Sequence, residues 1–212
     1  MKKITFLLTL MTCSLGFAQN LVTNGDFQTG TAAPWYNNAA NVVDLGGGNF
    51  VNQANVGSAG NPWDVNLSQE VLLEDGKTYK FTFDAFTDAT TGSRTIVAGL
   101  GQTGAPFASL TFTPTLTPTP QTFSYDVTIN YGNAVTDRVI FDMGAATGFV
   151  FIDNVSVVEV LPLVLGFESS ESGGVGAEFG VWLLQLLKMV QGLTPLMYLK
   201  LLEILHLMFG KV

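Results

Sequence analysis

Cysteine and histidine each occur once in 212 residues, and neither falls where a folded module would use it. Cys13 lies in an apolar N-terminal stretch and His206 near the C-terminus. The long middle of the chain therefore has no thiol nucleophile, no disulfide, no Cys- or His-based metal centre and no Ser-His-Asp arrangement. Positive charge is scarce as well. Nine Lys and Arg stand against seventeen Asp and Glu, a formal net charge of −8. That excludes the basic footprint a nucleic-acid partner needs to displace phosphate counterions. No apolar run reaches the roughly 20 residues of a bilayer-spanning helix. Charged residues make up only 12% of the chain and hydrophobic ones 47%, the reverse of a disordered composition.

What is present divides into three parts. Lys2 and Lys3 open the chain, Ile4 to Phe17 is apolar, and Gly16 and Ala18 supply small residues before Gln19. This is the pattern of a secretory signal peptide over residues 1–18, and it predicts export. A lipoprotein would need cleavage just before Cys13, where Met11 and Thr12 are poor small-residue neighbours. Residues 19–160 carry four basic and thirteen acidic side chains and are rich in Asn, Thr, Gly and aromatics. Residues 161–212 then hold fourteen Leu in 52 positions and neither Asn nor Asp. The chain is expected to divide near Leu161.

The 19–160 segment reads as strands. Tyr79, Phe81 and Phe83 alternate with polar neighbours, as do Phe123, Tyr125, Val127 and Ile129. Val139, Phe141 and Met143 form a third run, and Val150, Ile152, Val155 and Val157 a fourth whose parity slips at Asp153–Asn154. A period of two is that of a half-buried strand. Arg94 to Leu100 and Ala108 to Phe112 are shorter candidates, and Gly, Asn and Asp punctuate the intervals. Many short strands between turns predict an all-β, antiparallel β-sandwich of the jelly-roll type, followed by a Leu-rich helical or non-native tail. Thr111–Pro120 (TFTPTLTPTP) has a linker's composition. Cutting there would leave some forty residues, too few to fold unaided, so it is read as an edge strand plus loop.

Three motifs in order carry a family resemblance. Asn20–Phe27 (NLVTNGDF) resembles the opening strand and turn of carbohydrate-binding modules of families four, nine and twenty-two. Leu73, Gly76–Tyr79 and Phe81 resemble their mid-domain turn and strand, and Phe151–Val157 (FIDNVSV) their closing strand. Asn61–Gln69 (NPWDVNLSQ) and Phe141–Ala145 (FDMGA) are similar to modules attached to bacterial β-glucanases of the laminarinase type. The resemblance spans about residues 20–160 and implies a β-jelly roll that binds a glycan chain and accompanies a glycoside hydrolase.

Sugar binding calls for flat aromatic faces together with planar polar groups for hydroxyls. Trp35 and Tyr36, in a loop between Pro34 and Asn37–Asn38, are candidates, with Trp35 either stacking on sugar or closing the core as a lid. Trp63 matches a family binding position, although its parity with Val65 and Leu67 points to the core unless a bulge intervenes. Asn66, Arg94 and Asp142 alternate with apolar strand residues and are candidate hydroxyl partners, or else a solvated face with an Arg–Asp pair. Gln69 is a further candidate, or else satisfies a buried backbone group. The resemblance also implies a structural Ca²⁺ held by Asp153 and the residue at position 28. That residue is Gln28 rather than Glu, which removes a charge and weakens the site.

No paired-carboxylate strand motif of the Glu-x-Asp-x-x-Glu type is present, and the residues in hand read as non-catalytic. The expected function is binding of a polysaccharide, a β-glucan foremost, so as to bring an associated hydrolase to its substrate. A hydrolase fragment and a surface adhesion module are the alternatives. The abrupt change of composition is expected to mark a reading-frame error or truncation beyond about Ser170, in which case a catalytic domain is missing from the chain.

Overall fold

The computed structural model describes residues 19–132 and 136–161. The leader and the Leu-rich tail lie outside the described residues. Eleven strands and one short helix follow in order: β1 Val42–Asp44, β2 Phe50–Val56, a single 3-10 turn Pro62–Asp64, β3 Asn66–Val71, β4 Thr78–Phe86, β5 Arg94–Thr95, β6 Val97–Gln102, β7 Ser109–Phe112, β8 Thr115–Leu116, β9 Gln121–Thr128, β10 Asp137–Asp142 and β11 Gly148–Glu159. One sheet runs β1-β2-β11-β4-β9, a second β3-β10-β6-β7, and β5 pairs with β8. The pairs are antiparallel. This is the β-sandwich that the alternation predicts.

The two sheets meet through aromatic rings. Phe81 and Phe83, two apart on β4, point to the same side and meet Phe141 of β10, with ring centroids 5.8 and 5.0 Å away. All three are fully buried, and each contributes on the order of 2 kcal/mol by leaving water. The parity slip in β11 is real. Its register against β4 shifts between Asp153 and Ser156, and Asn154 adopts φ 49°. A bulge of this kind lets Ile152 and Val155 both face the core. The Thr/Pro stretch belongs to the fold too, since it forms β7 and β8 and Leu116 is fully buried.

In the second sheet β7 approaches β6 closely at two glycines. A Cβ on Gly99 would lie 2.2 Å from the carbonyl oxygen of Leu110, and one on Gly101 would lie 2.5 Å from Ser109 Cβ and 2.9 Å from Ile140 Cδ1. Glycine inside a strand marks such a close backbone approach. Beyond β3 the sheet gains one more rung. Tyr36 N–H donates to Ser68 O at 2.9 Å and Ser68 N–H to Tyr36 O at 3.2 Å.

Candidate functional site

The outer face of the second sheet is built by the same alternation that fills the core. Leu67, Val139, Phe141, Ala98 and Leu100 point inward, so their neighbours form three rows outside. Asn66 lies beside Asp142 and Val97. Ser68 lies beside Ile140, Gly99 and Thr111, and Glu70 beside Arg138, Gly101 and Ser109. The Tyr36 rung adds a side chain on the Ser68 edge. The result is an outer sheet face on which polar side chains flank buried Ile140, with Asp142 in one end row and Arg138 in the other.

Asn66 ties the near end together. Its Oδ1 accepts from Asn37 Nδ2 and from Ser68 Oγ at 2.8 Å, and its Nδ2 donates to Asp142 Oδ1. Its backbone N–H donates to Asn38 Oδ1 at 2.9 Å. Asn66 is thus buried and fully engaged, and it orients Asp142 instead of presenting its own amide. Burial raises the Asp142 carboxyl pKa above the usual range, partly offset by the Asn66 donor and the Arg138 charge. The Tyr36 phenol is also raised, chiefly by burial, with Arg138 opposing as charge and donor. Arg138 Nε is buried without a partner, so whatever the guanidinium offers a ligand comes from the outer end of its fork.

Trp63 stands at the Asn66–Asp142 end. It is 65% exposed because it lies on the 3-10 turn, where the two-residue period that pointed it inward does not apply. Asp64 closes that turn, its Oδ2 accepting from Asn61 N–H at 2.7 Å. Asn38 Nδ2 donates to Asp64 O at 2.7 Å and ties the turn to the Tyr36–Asn38 loop.

Three expected binding residues are occupied elsewhere. Trp35 is only 4% exposed. Its ring packs against Phe27 and Phe141, and its Nε1–H donates to Asn24 O at 3.0 Å. It closes the core as a lid and has no free face. Gln69 is buried against the N-terminal segment, its Nε2 donating to Thr23 O at 2.8 Å and its Oε1 accepting from Thr23 N–H at 2.7 Å. Arg94 is 7% exposed, with Nη2 donating to Met143 O and Nη1 to Thr147 O at 3.2 Å. The cation that faces Asp142 is Arg138. Asn66 and Asp142 are therefore joined, with Tyr36 on the adjoining rung and Trp63 exposed on the turn before Asn66, while Trp35, Gln69 and Arg94 are buried elsewhere. Sequence reasoning passed over Arg138 and Glu70. The signal for Arg138 was present, since it alternates with Val139 and Phe141 just as Asp142 does.

Of the expected calcium ligands, Asp153 lies on β11 in the other sheet and Gln28 on a turn that bonds to Phe50 of β2. Burial pushes Asp153 up to about 6, with the nearby charges of Asp84 and Asp26 adding to it and the Asn154 N–H opposing. Asn154 Nδ2 bridges to Asp84 Oδ2 at 2.8 Å. Gln28 Nε2 donates to the carbonyls of Asp26 and Phe50, at 3.0 and 3.1 Å. The amide of Gln28 thus places its positive end on two oxygens that a cation would want. Among the described residues, no three acidic, His or Cys side chains are grouped to hold a metal. This donor set does not fit calcium, which asks for six to eight oxygens.

An exposed indole, a forked cation, two carboxylates and a phenol are parts suited to holding a polyhydroxylated chain. Residues 19–148 match the family model described as a carbohydrate binding domain. The chain belongs to that family. Solved carbohydrate-binding modules share its sandwich. The second N-terminal cellulose-binding domain of β-1,4-glucanase C from Cellulomonas fimi is 23% identical, the match covering 70% of this chain and 99% of that one at a TM-score of 0.56. A solved CBM4 module is 23% identical over 66% of this chain and 99% of its own, with a TM-score of 0.53. A xylan-binding domain from Paenibacillus barcinonensis is 11% identical over 69% and 97%, with a TM-score of 0.52. Identities this low establish a common fold. No curated protein matches the chain.

Proposed function

We propose that this carbohydrate-binding domain holds one chain of a neutral polysaccharide, a β-glucan foremost, along the outer face of the β3-β10-β6-β7 sheet. The observation that carries the reading is an exposed Trp63 on the turn that leads into Asn66, whose side chain holds Asp142 on the outer sheet face. Trp63 takes the apolar face of a pyranose ring. Arg138 donates to ring hydroxyls, and Asp142 and Glu70 accept from them. With two carboxylates to one guanidinium, this face disfavours uronate or sulfated chains by like-charge repulsion. A holding role also fits the spacing of the acids. Glu70 lies four positions along β3 from the Asn66–Asp142 row, about 13 Å at 3.3 Å per residue. Glycosidase carboxylates lie only about 5–9.5 Å apart. The leader-like start favours export, and an associated glycoside hydrolase gives the binding its use by raising the local concentration of substrate.

The full chain should be retarded in native gels containing laminarin or barley β-glucan, less so with alginate, and Arg138→Gln should migrate faster in the neutral gels. Unchanged mobility in every neutral polysaccharide overturns the reading.

A further inference from the structure

We propose that Arg94, which never reaches the sugar, is a positioning residue that holds Trp63 in place through the Met143–Thr147 turn; the inference deepens the sugar-binding reading above and rests on it. The guanidinium is buried and takes part in none of the ion pairs found among the described residues. Its Nε is buried without a partner. A buried, unpaired charge is costly, and here it is met only by two carbonyl dipoles. Those carbonyls, of Met143 and Thr147, are the two ends of one turn. A planar fork grips both at once, which the point charge of a lysine cannot do.

The gripped turn in turn carries the segment that holds Trp63. Met143 N–H donates to Val65 O at 2.8 Å, Gly144 N–H to Pro62 O at 2.7 Å, and Gly60 N–H to Gly144 O at 2.8 Å. Both flanks of the Pro62–Asp64 turn therefore hang on Met143 and Gly144. The fit is tight, since a Cβ on Gly144 would lie 2.3 Å from Asn61 O. Trp63 itself takes part in no ring contact among the described residues, so its place is set by this backbone attachment. Pre-setting an indole before the sugar arrives lowers the ordering cost of binding.

A double-mutant cycle on the full chain separates positioning from general stability. Laminarin affinity is measured by calorimetry for wild type, Trp63→Ala, Arg94→Gln and the double variant, at a temperature where circular dichroism shows all four folded. Amide exchange at Gly60 and Gly144 is followed by NMR. Arg94→Gln should weaken binding about tenfold, the double variant should bind no worse than Trp63→Ala alone, and the two amides should exchange faster while those of β4 do not. Fully additive losses, or unchanged exchange at Gly60 and Gly144, overturn the proposal. If Arg94→Gln does not fold, Arg94→Lys takes its place in the same cycle. Equal laminarin affinity for wild type and Trp63→Ala instead overturns the reading of this face as the sugar site, and the functional half of this inference with it; exchange at Gly60 and Gly144 still judges the mechanical half.

Discussion

Replacing the two module tryptophans one at a time separates a ring that binds from a ring that packs. A Trp side chain offers up to about 250 Å². With 65% of Trp63 exposed, roughly 160 Å² is open, and a sugar lying on one face covers about half of that. At about 25 cal/mol per Å², covering some 80 Å² is worth about 2 kcal/mol, or roughly 30-fold in Kd. Trp63→Ala should therefore weaken laminarin binding by that factor in titration calorimetry. Its melting point should scarcely move, because an exposed position away from packing costs within about 0.5 kcal/mol. Trp35→Ala should do the opposite. It removes a 4% exposed ring from between Phe27 and Phe141, together with its bond to Asn24 O, at about 3–5 kcal/mol. That lowers the melting point by on the order of 10 °C or more, with the affinity of the still-folded fraction retained. The reasoning is refuted if Trp63→Ala keeps wild-type affinity, or if Trp35→Ala loses affinity with an unchanged melting point.

Two further perturbations address the acidic cluster on the opposite sheet. Gln28→Glu removes the donor now shared by the carbonyls of Asp26 and Phe50 and adds a carboxylate two residues from Asp26, whose charge acts on Asp153. Added Ca²⁺ should leave the melting point of wild type unchanged and raise that of the variant; a calcium-dependent shift in wild type contradicts the donor-set argument. Asp153 titrates near 6 in the folded chain, chiefly through burial, against about 3.9 unfolded. The native state therefore holds the extra proton between those values, so stability falls as pH rises from about 4 to 6 and this group adds no further loss above that. Asp153→Asn should flatten the melting-point profile across that window, and an unaltered slope would show that Asp153 is not the titrating group.

Period-two alternation along a chain with few charges was enough to specify strands, their inward faces and hence a sandwich, because each strand has only one way to bury Tyr79, Phe81 and Phe83 together. The bulge at Asp153–Asn154 was legible for the same reason, since a break in parity is a break in the ladder. Alternation also places Asp142 and Arg138 on the outer face. The fates of the tryptophans and of Gln69 and Arg94 were not legible. Parity says which side of a strand a residue leaves from, but not what lies there. Trp35 leaves a loop whose floor is supplied by Phe27 and Phe141 from distant parts of the chain, and Trp63 falls on a 3-10 turn where the period lapses. Gln69 meets Thr23, 46 residues away, and Arg94 meets Met143, 49 residues away. Local sequence determined the sheets and their faces because side-chain direction in a strand is a nearest-neighbour property. Which polar groups stayed free for a ligand was decided by long-range partners, which only the folded chain brings together.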